Sequence, residues 1–132
     1  MSKNVILCVD DEKIILNSLK SQLKREFGND YSYEVAENAI DAEELIDELV
    51  FDGCSILIIV SDWLMPGIKG DEFLIKIHKK YPQIVKIMLT GHATDEAIEK
   101  AIVEAHLLKC LAKPWSGDEL IQTIKEGLNK VQ

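Results

Sequence analysis

The chain alternates short, wholly apolar runs with longer segments in which apolar residues recur every three or four positions. Short apolar runs are typical of parallel strands that helices cover on both faces, and the recurring positions are typical of amphipathic helices. The pattern therefore predicts five strands and five helices in alternation. The predicted strands are 4–9, 32–36, 56–60, 84–89 and 107–111.

The helices are predicted from their apolar stripes and from the residues that begin or end them. The first spans roughly 12–27, and Gly28-Asn29-Asp30 ends it. Asn38 is a capping residue for the second, and Ser116 with Glu119 has the form of a capping box for the fifth. The apolar stripes of the first four helices are Ile15, Leu19, Leu23 and Phe27; Ala42, Leu45, Ile46 and Leu49; Phe73, Ile77 and Tyr81; and Ala97, Ile98, Ala101, Ile102 and Ala105. On the fifth helix, Leu120, Ile124, Leu128 and Val131 are predicted to face inward.

Such an alternation predicts one α/β domain, residues 1–132, with a doubly wound parallel sheet between two layers of helices. Right-handed crossovers favour the flavodoxin-like (βα)5 fold with strand order 2-1-3-4-5. In that order the chain leaves strands 1 and 3 in opposite directions. Ligands are expected in the crevice at the carboxyl ends of these two strands.

Composition narrows the classes of function. The 132 residues are 47% apolar and 29% charged, as in an ordinary globular protein. The net charge of −8 argues against nonspecific binding of nucleic acid or of an anionic membrane. Cys8, Cys54 and Cys110 are too widely spaced to indicate zinc or disulfides. No signal pattern or membrane-length apolar stretch occurs, so we expect a cytoplasmic protein.

Charged residues stand where the predicted strands end. Asp10 and Asp11 follow the first strand, Asp62 closes the third, and Lys113 follows the fifth, before Pro114. Asp11 could simply cap a helix and Lys113 could be a surface lysine, but carboxylates that converge at one edge repel each other unless a cation is present. Mg²⁺ suits such a cluster. We predict a site for Mg²⁺ and a phosphoryl group.

Four motifs give the chain a family resemblance that covers essentially its whole length. They are Asp10-Asp11, Ser61-Asp62-Trp63-Leu64-Met65-Pro66-Gly67-Ile68-Lys69-Gly70, Leu89-Thr90-Gly91 and Lys113-Pro114-Trp115. In this order and on these elements, they resemble the receiver domain of two-component response regulators, similar to chemotaxis regulators. The four together are far more specific than any one of them.

The resemblance implies a Mg²⁺ site built from four residues. Asp11 and Asp62 would bind the ion directly, Asp10 would hold it through water, and the backbone carbonyl of Leu64 would complete the set.

The resemblance also implies a phosphoryl acceptor and its partners. Asp62 would take the phosphoryl group from a phosphohistidine on a sensor histidine kinase or phosphotransfer protein, while Thr90 and Lys113 would bind its oxygens. Such a domain catalyses only its own phosphorylation and slow dephosphorylation. It would then bind partners, or form a homodimer, through the face made by the fourth helix, fifth strand and fifth helix.

Three positions differ from the usual pattern or vary within it. Cys110 stands where the family usually has an aromatic residue that changes rotamer on phosphorylation. Leu64 and His92 occupy positions that tune how fast water attacks the acyl phosphate. Lys113-Pro114 is a candidate cis peptide, although X–Pro bonds are trans by default.

Three other functions compete with this interpretation. A Mg²⁺-dependent phosphatase acting through Asp62 would need a second acid and a cap, and the chain offers neither. A flavodoxin-like cofactor binder would need a Ser/Thr/Gly-rich loop where Asp10-Asp11-Glu12-Lys13 stands. A receiver-like scaffold that takes no phosphate is disfavoured because the set of site residues is complete.

Overall fold

A computed structural model describes residues 3–131 and folds them around one five-stranded sheet. Five helices connect and follow the strands, and a short 3₁₀ turn, Gly28–Asp30, follows the first helix. The strands are β1 Asn4–Val9, β2 Ser32–Ala36, β3 Ser55–Asp62, β4 Val85–Thr90 and β5 Lys109–Ala112. The helices are α1 Lys13–Phe27, α2 Ala39–Phe51, α3 Gly70–Lys80, α4 Asp95–Ala105 and α5 Gly117–Val131.

The sheet has the predicted topology. Its order is β2-β1-β3-β4-β5, and every neighbouring pair is parallel. The predicted doubly wound, flavodoxin-like fold is therefore confirmed. Side chains on β1 alternate between the two faces, so that Val5 and Leu7 enter one apolar layer and Ile6 and Cys8 the other.

Two strand boundaries bear on the site. β3 ends at Asp62, as predicted, and Asp62 pairs with Leu89, so this carboxylate is carried by the sheet and not by the following loop. β5 begins at Lys109, two residues later than predicted. Leu107 instead completes the end of α4, because its N–H donates to the Ala101 carbonyl (3.3 Å) after left-handed His106.

Both predicted capping side chains accept a helix N–H, but one predicted apolar stripe is only partly buried. The Asn38 side chain accepts from the Asp41 N–H (2.8 Å), and Ser116 Oγ accepts from the Glu119 N–H (3.4 Å). On α4, Ala101 and Ala105 are buried, whereas Ile102 is 50% exposed. Within residues 3–131, no helix has both the length and the apolar character needed to cross a membrane.

Candidate functional site

Three carboxylates meet where the two central strands end. Asp10 and Asp11 follow β1, Asp62 ends β3, and these two strands are neighbours in the sheet. One oxygen from each carboxylate lies within 4.8 Å of the others. Asp10 is fully buried and Asp62 nearly so, whereas Asp11 is exposed. The structure thus brings together the three acids that the sequence placed at this edge.

Lys113 supplies the positive charge of the site from the far end of the chain. Its backbone N–H donates to the Thr90 carbonyl (3.0 Å), which extends the pairing of β4 with β5 by one residue. Its Nζ lies 2.8 Å from Asp10 Oδ2 and 3.1 Å from Asp62 Oδ1. The ammonium therefore bridges two of the three carboxylates. The Lys113-Pro114 peptide is cis.

The charges of the site perturb each other. Burial raises the pKa of Asp62, and the neighbouring charge of Asp10 raises it further, against the opposing effect of Lys113. Burial alone would lower the pKa of Lys113, but its hydrogen bond to Asp10 and the charge of Asp62 raise it overall. Three carboxylates and one ammonium leave a formal charge of −2. That charge is equal and opposite to the charge of a divalent cation.

Thr90 ends β4, the strand next to the one that carries Asp62. Its Oγ1 accepts from the backbone N–H groups of His92 (3.0 Å) and Ala93 (2.8 Å). The hydroxyl therefore holds the turn that leads from β4 to α4, and both amide donors would need a new partner if it rotated away.

The loop after Asp62 is closed tightly onto the end of the strand. The Trp63 N–H donates to the Leu89 carbonyl (3.1 Å), and the Gly70 N–H donates to the Trp63 carbonyl (2.8 Å). A Cβ on Gly70 would overlap the backbone oxygen of Asp62. In the sequence, Gly70 stands only as the last residue of one of the four motifs, and nothing there indicates this role, because the close approach of two chain segments has no local signal.

A groove of about 910 Å³ opens from the carboxylates to the surface. Asp11, Asp62 and Lys113 line it together with the half-exposed Leu64 and the exposed His92. Its other lining side chains include Ile15, Gln22, Pro66 and Trp115.

Sequence reasoning missed two polar contacts next to this groove. Trp115 Nε1 donates to Gln22 Oε1 (3.0 Å), which ties the β5–α5 loop to α1. Trp63 Nε1 donates to Asp71 Oδ1 (2.9 Å), across the loop that follows Asp62. The two tryptophans belong to the motifs noted above, but neither partner had a pattern that could identify it.

Cys110, at the position where an aromatic residue was expected from the resemblance, is half-buried in β5 and packs against the core. Burial raises the pKa of its thiol. It is therefore a poor nucleophile, since the thiolate is the reactive form.

Comparison with known proteins identifies the family. The family model described as the response regulator receiver domain matches residues 6–125 of this chain. The hydrogenase transcriptional regulatory protein HoxA of Bradyrhizobium diazoefficiens is 31% identical over 128 residues, which are 96% of this chain and 24% of that protein. Sensor kinase CckA of Brucella abortus is 30% identical over 129 residues, 98% of this chain and 13% of CckA. The chain thus spans a quarter or less of these relatives.

Solved structures agree with this match. The beryllofluoride-activated NtrC4 receiver domain dimer is 33% identical, with a TM-score of 0.83 and coverage of 97% of this chain and 98% of that one. A CheY-like response regulator receiver domain protein from Methanospirillum hungatei JF-1 is 32% identical, with a TM-score of 0.84 and coverage of 98% and 97%.

Proposed function

The chain belongs to the response regulator receiver domains of two-component signal transduction, and on that premise we propose that Asp62 is its phosphoacceptor. The donor is a phosphohistidine on a sensor histidine kinase or phosphotransfer protein. An Asp62 carboxylate oxygen attacks the phosphorus, a P–O bond forms as the P–N bond breaks, and the electron pair returns to the imidazole of the donor.

One observation distinguishes Asp62 from the other two acids. Of the three carboxylates, Asp62 alone combines contact with the Lys113 ammonium (3.1 Å) and a place on the wall of the groove. Asp10 is fully buried, and its oxygens accept from Lys113 and from the Glu12 N–H (2.9 Å). Asp11 lines the groove, but Lys113 forms its ion pairs with Asp10 and Asp62.

The acid cluster has the chemistry of a Mg²⁺ site. Asp11 and Asp62 would hold the ion directly, Asp10 would hold it through water, and the Leu64 carbonyl would complete the protein ligands. The formal charge of −2 and the all-oxygen donor set both fit a hard divalent cation. When bound, Mg²⁺ offsets the negative charge on the phosphoryl oxygens and helps to orient them.

Two residues of the chain would bind the phosphoryl oxygens. Lys113 is already directed at Asp62, so its ammonium would bind a phosphoryl oxygen with little movement. The Thr90 hydroxyl would donate to another oxygen, and in doing so it would loosen its hold on the His92 and Ala93 amides. Phosphorylation would in this way change the β4–α4 loop.

We propose the remaining properties by analogy with the family. The domain acts on no substrate other than its own phosphoryl group, which it acquires and slowly hydrolyses. It works in the cytoplasm, binds neither nucleic acid nor membrane, and passes its signal through the face formed by α4, β5 and α5. A homodimer through this face is consistent with the dimer of the NtrC4 receiver domain.

Phosphorylation by acetyl phosphate tests the proposal. Intact mass spectrometry should show a single labile phosphate that requires Mg²⁺ and is absent from Asp62→Asn. Asp52→Asn is the matched control, because it makes the same change at an exposed position after α2. Modification of Asp62→Asn to the wild-type extent would show that another residue is the acceptor.

A further inference from the structure

Asp71 is a buried acid that has no part in the proposed chemistry. It is the second residue of α3 and is only 7% exposed. Its Oδ1 accepts a hydrogen bond from the indole N–H of Trp63 at 2.9 Å. A buried carboxylate is costly to a fold unless its charge is compensated, so this contact calls for a physical explanation.

The start of α3 makes the buried charge tolerable. The first turn of a helix has N–H groups without partners inside the helix, and its dipole favours a negative charge there. Asp71 lies in that turn and faces Trp63, whose ring also has the Lys69 ammonium 5.1 Å from its centroid. The helix start therefore supplies an anchored acceptor for the indole.

Trp63 is held at three points. Its backbone N–H donates to the Leu89 carbonyl, its carbonyl accepts from the Gly70 N–H, and its side chain donates to Asp71. The two backbone bonds hold the peptide groups, and the third fixes the direction of the ring. The residues on either side of Trp63 are Asp62 and Leu64. Asp62 is the proposed phosphoacceptor, and the Leu64 carbonyl is a proposed ligand of the Mg²⁺ site.

We propose that Asp71 is a positioning residue that sets the Mg²⁺ affinity of the site through Trp63. This inference rests on the proposed function. Mg²⁺ demands near-ideal octahedral geometry, so a small rotation of the Trp63 peptides would misplace the Asp62 carboxylate or the Leu64 carbonyl. Loss of a partner that orients metal ligands typically weakens metal binding by about 10- to 100-fold.

Four substitutions separate positioning from charge and from folding. Asp71→Ala removes the acceptor, and Trp63→Phe removes the donor while keeping an aromatic ring. Asp71→Asn removes the charge but keeps an acceptor oxygen for the indole. Glu72→Ala is the matched control, because Glu72 is an exposed acid in the same helical turn.

Calorimetric titration with Mg²⁺ alone is the first measurement. Asp71→Ala and Trp63→Phe should each weaken Mg²⁺ binding by about tenfold, the lower end of the range for such partners. Asp71→Asn should stay within about threefold of wild type, and Glu72→Ala should match wild type, since a surface charge is screened. The double variant Trp63→Phe/Asp71→Ala should lose no more than either single variant, because both remove the same bond.

The rate of phosphorylation by acetyl phosphate is the second measurement. At limiting Mg²⁺ it should fall in Asp71→Ala by the same factor as the affinity, and saturating Mg²⁺ should restore most of it. Circular dichroism establishes that each variant is folded, and Trp63→Phe decides the question if Asp71→Ala does not fold.

Several results would overturn the proposal. Wild-type Mg²⁺ affinity in Trp63→Phe and Asp71→Ala would show that the bond serves only stability, even if the melting temperature falls. An equal loss in Glu72→Ala would assign the effect to charge. A wild-type protein that binds no Mg²⁺ would instead refute the metal site of the proposed function, and this inference with it.

Discussion

Gly70 shows how a single missing side chain shapes the candidate site. The backbone oxygen of Asp62 occupies the space where a Cβ on Gly70 would lie, and the Gly70 N–H is bonded to the Trp63 carbonyl. The loop after β3 can return to the end of its own strand only because this position has no side chain. The geometry of the proposed acceptor therefore depends on a residue that contributes no functional group.

We expect Gly70→Ala to destabilise the fold by about 3 kcal/mol, since relieving the overlap must move backbone and not a flexible side chain. It should also weaken Mg²⁺ binding, because the displaced segment carries Asp62. Urea unfolding and Mg²⁺ titration provide the measurements.

Gly117→Ala is the control for this substitution, because the nearest atom to its added Cβ would be Gln22 Oε1 at 3.8 Å, an ordinary contact. Its stability should stay within about 0.5 kcal/mol of wild type. If the two alanine variants are equally stable, the close approach at Gly70 is not a constraint.

At the scale of secondary-structure elements, the contact of β4 with α3 contains a buried lysine. Lys86 is 1% exposed, and its Nζ donates to the Ile84 carbonyl (2.6 Å) and lies 2.9 Å from His78 Nδ1. Among residues 3–131, no carboxylate forms an ion pair with it. Burial lowers its pKa to about 8, and burial together with the charges of Lys86 and His106 lowers the pKa of His78.

The sign of the resulting pH dependence follows from proton counting. The folded protein releases the Lys86 proton near pH 8, whereas an unperturbed lysine holds it to about 10.5. Between these values the unfolded chain binds more protons, so the contribution of Lys86 to stability rises with pH. Below pH 8 the buried charge is present and destabilises the fold.

Lys86→Met should therefore stabilise the protein at pH 7 by roughly 1–2 kcal/mol, after allowance for the hydrogen bonds that are lost. The gain in stability should shrink as the pH rises from 8 to 10.5, because Lys86 of the folded wild type is then no longer charged. Urea unfolding of both proteins at pH 7 and pH 10 measures the difference.

Lys79→Met, at an exposed position of α3, should change stability by less than about 0.5 kcal/mol at either pH. A gain in Lys86→Met that is the same at pH 7 and pH 10 would mean that Lys86 is not a perturbed group.

At the scale of the whole molecule, α4 carries apolar surface that the fold leaves uncovered. Ile102 is 50% exposed and Val103 is 67% exposed. Because Cys110 has no ring, a rotamer change of a strand-β5 aromatic cannot reshape this face. The β4–α4 loop, which the Thr90 hydroxyl holds, is then the direct connection from the acid cluster to α4.

We expect beryllofluoride with Mg²⁺ to convert the protein to a dimer and Val103→Glu to keep it monomeric, since a charge in an apolar interface is unpaired and desolvated. Sedimentation velocity measures both. Phe51→Glu is the control, because Phe51 is 90% exposed at the end of α2, away from α4. A dimer that persists in Val103→Glu would place the interface elsewhere, and a dimer lost equally in both variants would assign the loss to the added charge.

The sequence by itself determined the order of the elements and the edge at which the charges meet. Apolar runs in the strands and stripes in the helices are local patterns, so β1 was predicted with the bounds 4–9 that the structure has. Five alternating units with right-handed crossovers leave few topologies, and the confirmed order puts the ends of β1 and β3 side by side. The meeting of Asp10, Asp11 and Asp62 at one edge of the sheet follows from these two facts.

Only the tertiary structure decided which side chains touch and which surfaces stay open. Lys113 bridges to Asp10 across 103 positions of the chain, and Asp71 meets Trp63 across a loop whose return depends on Gly70. Ile102 belongs to the apolar stripe that the sequence predicted along α4, yet it is half-exposed. Periodicity specifies the direction of a side chain around its own helix, whereas its burial and its partners depend on the position of neighbouring elements, which no local pattern encodes.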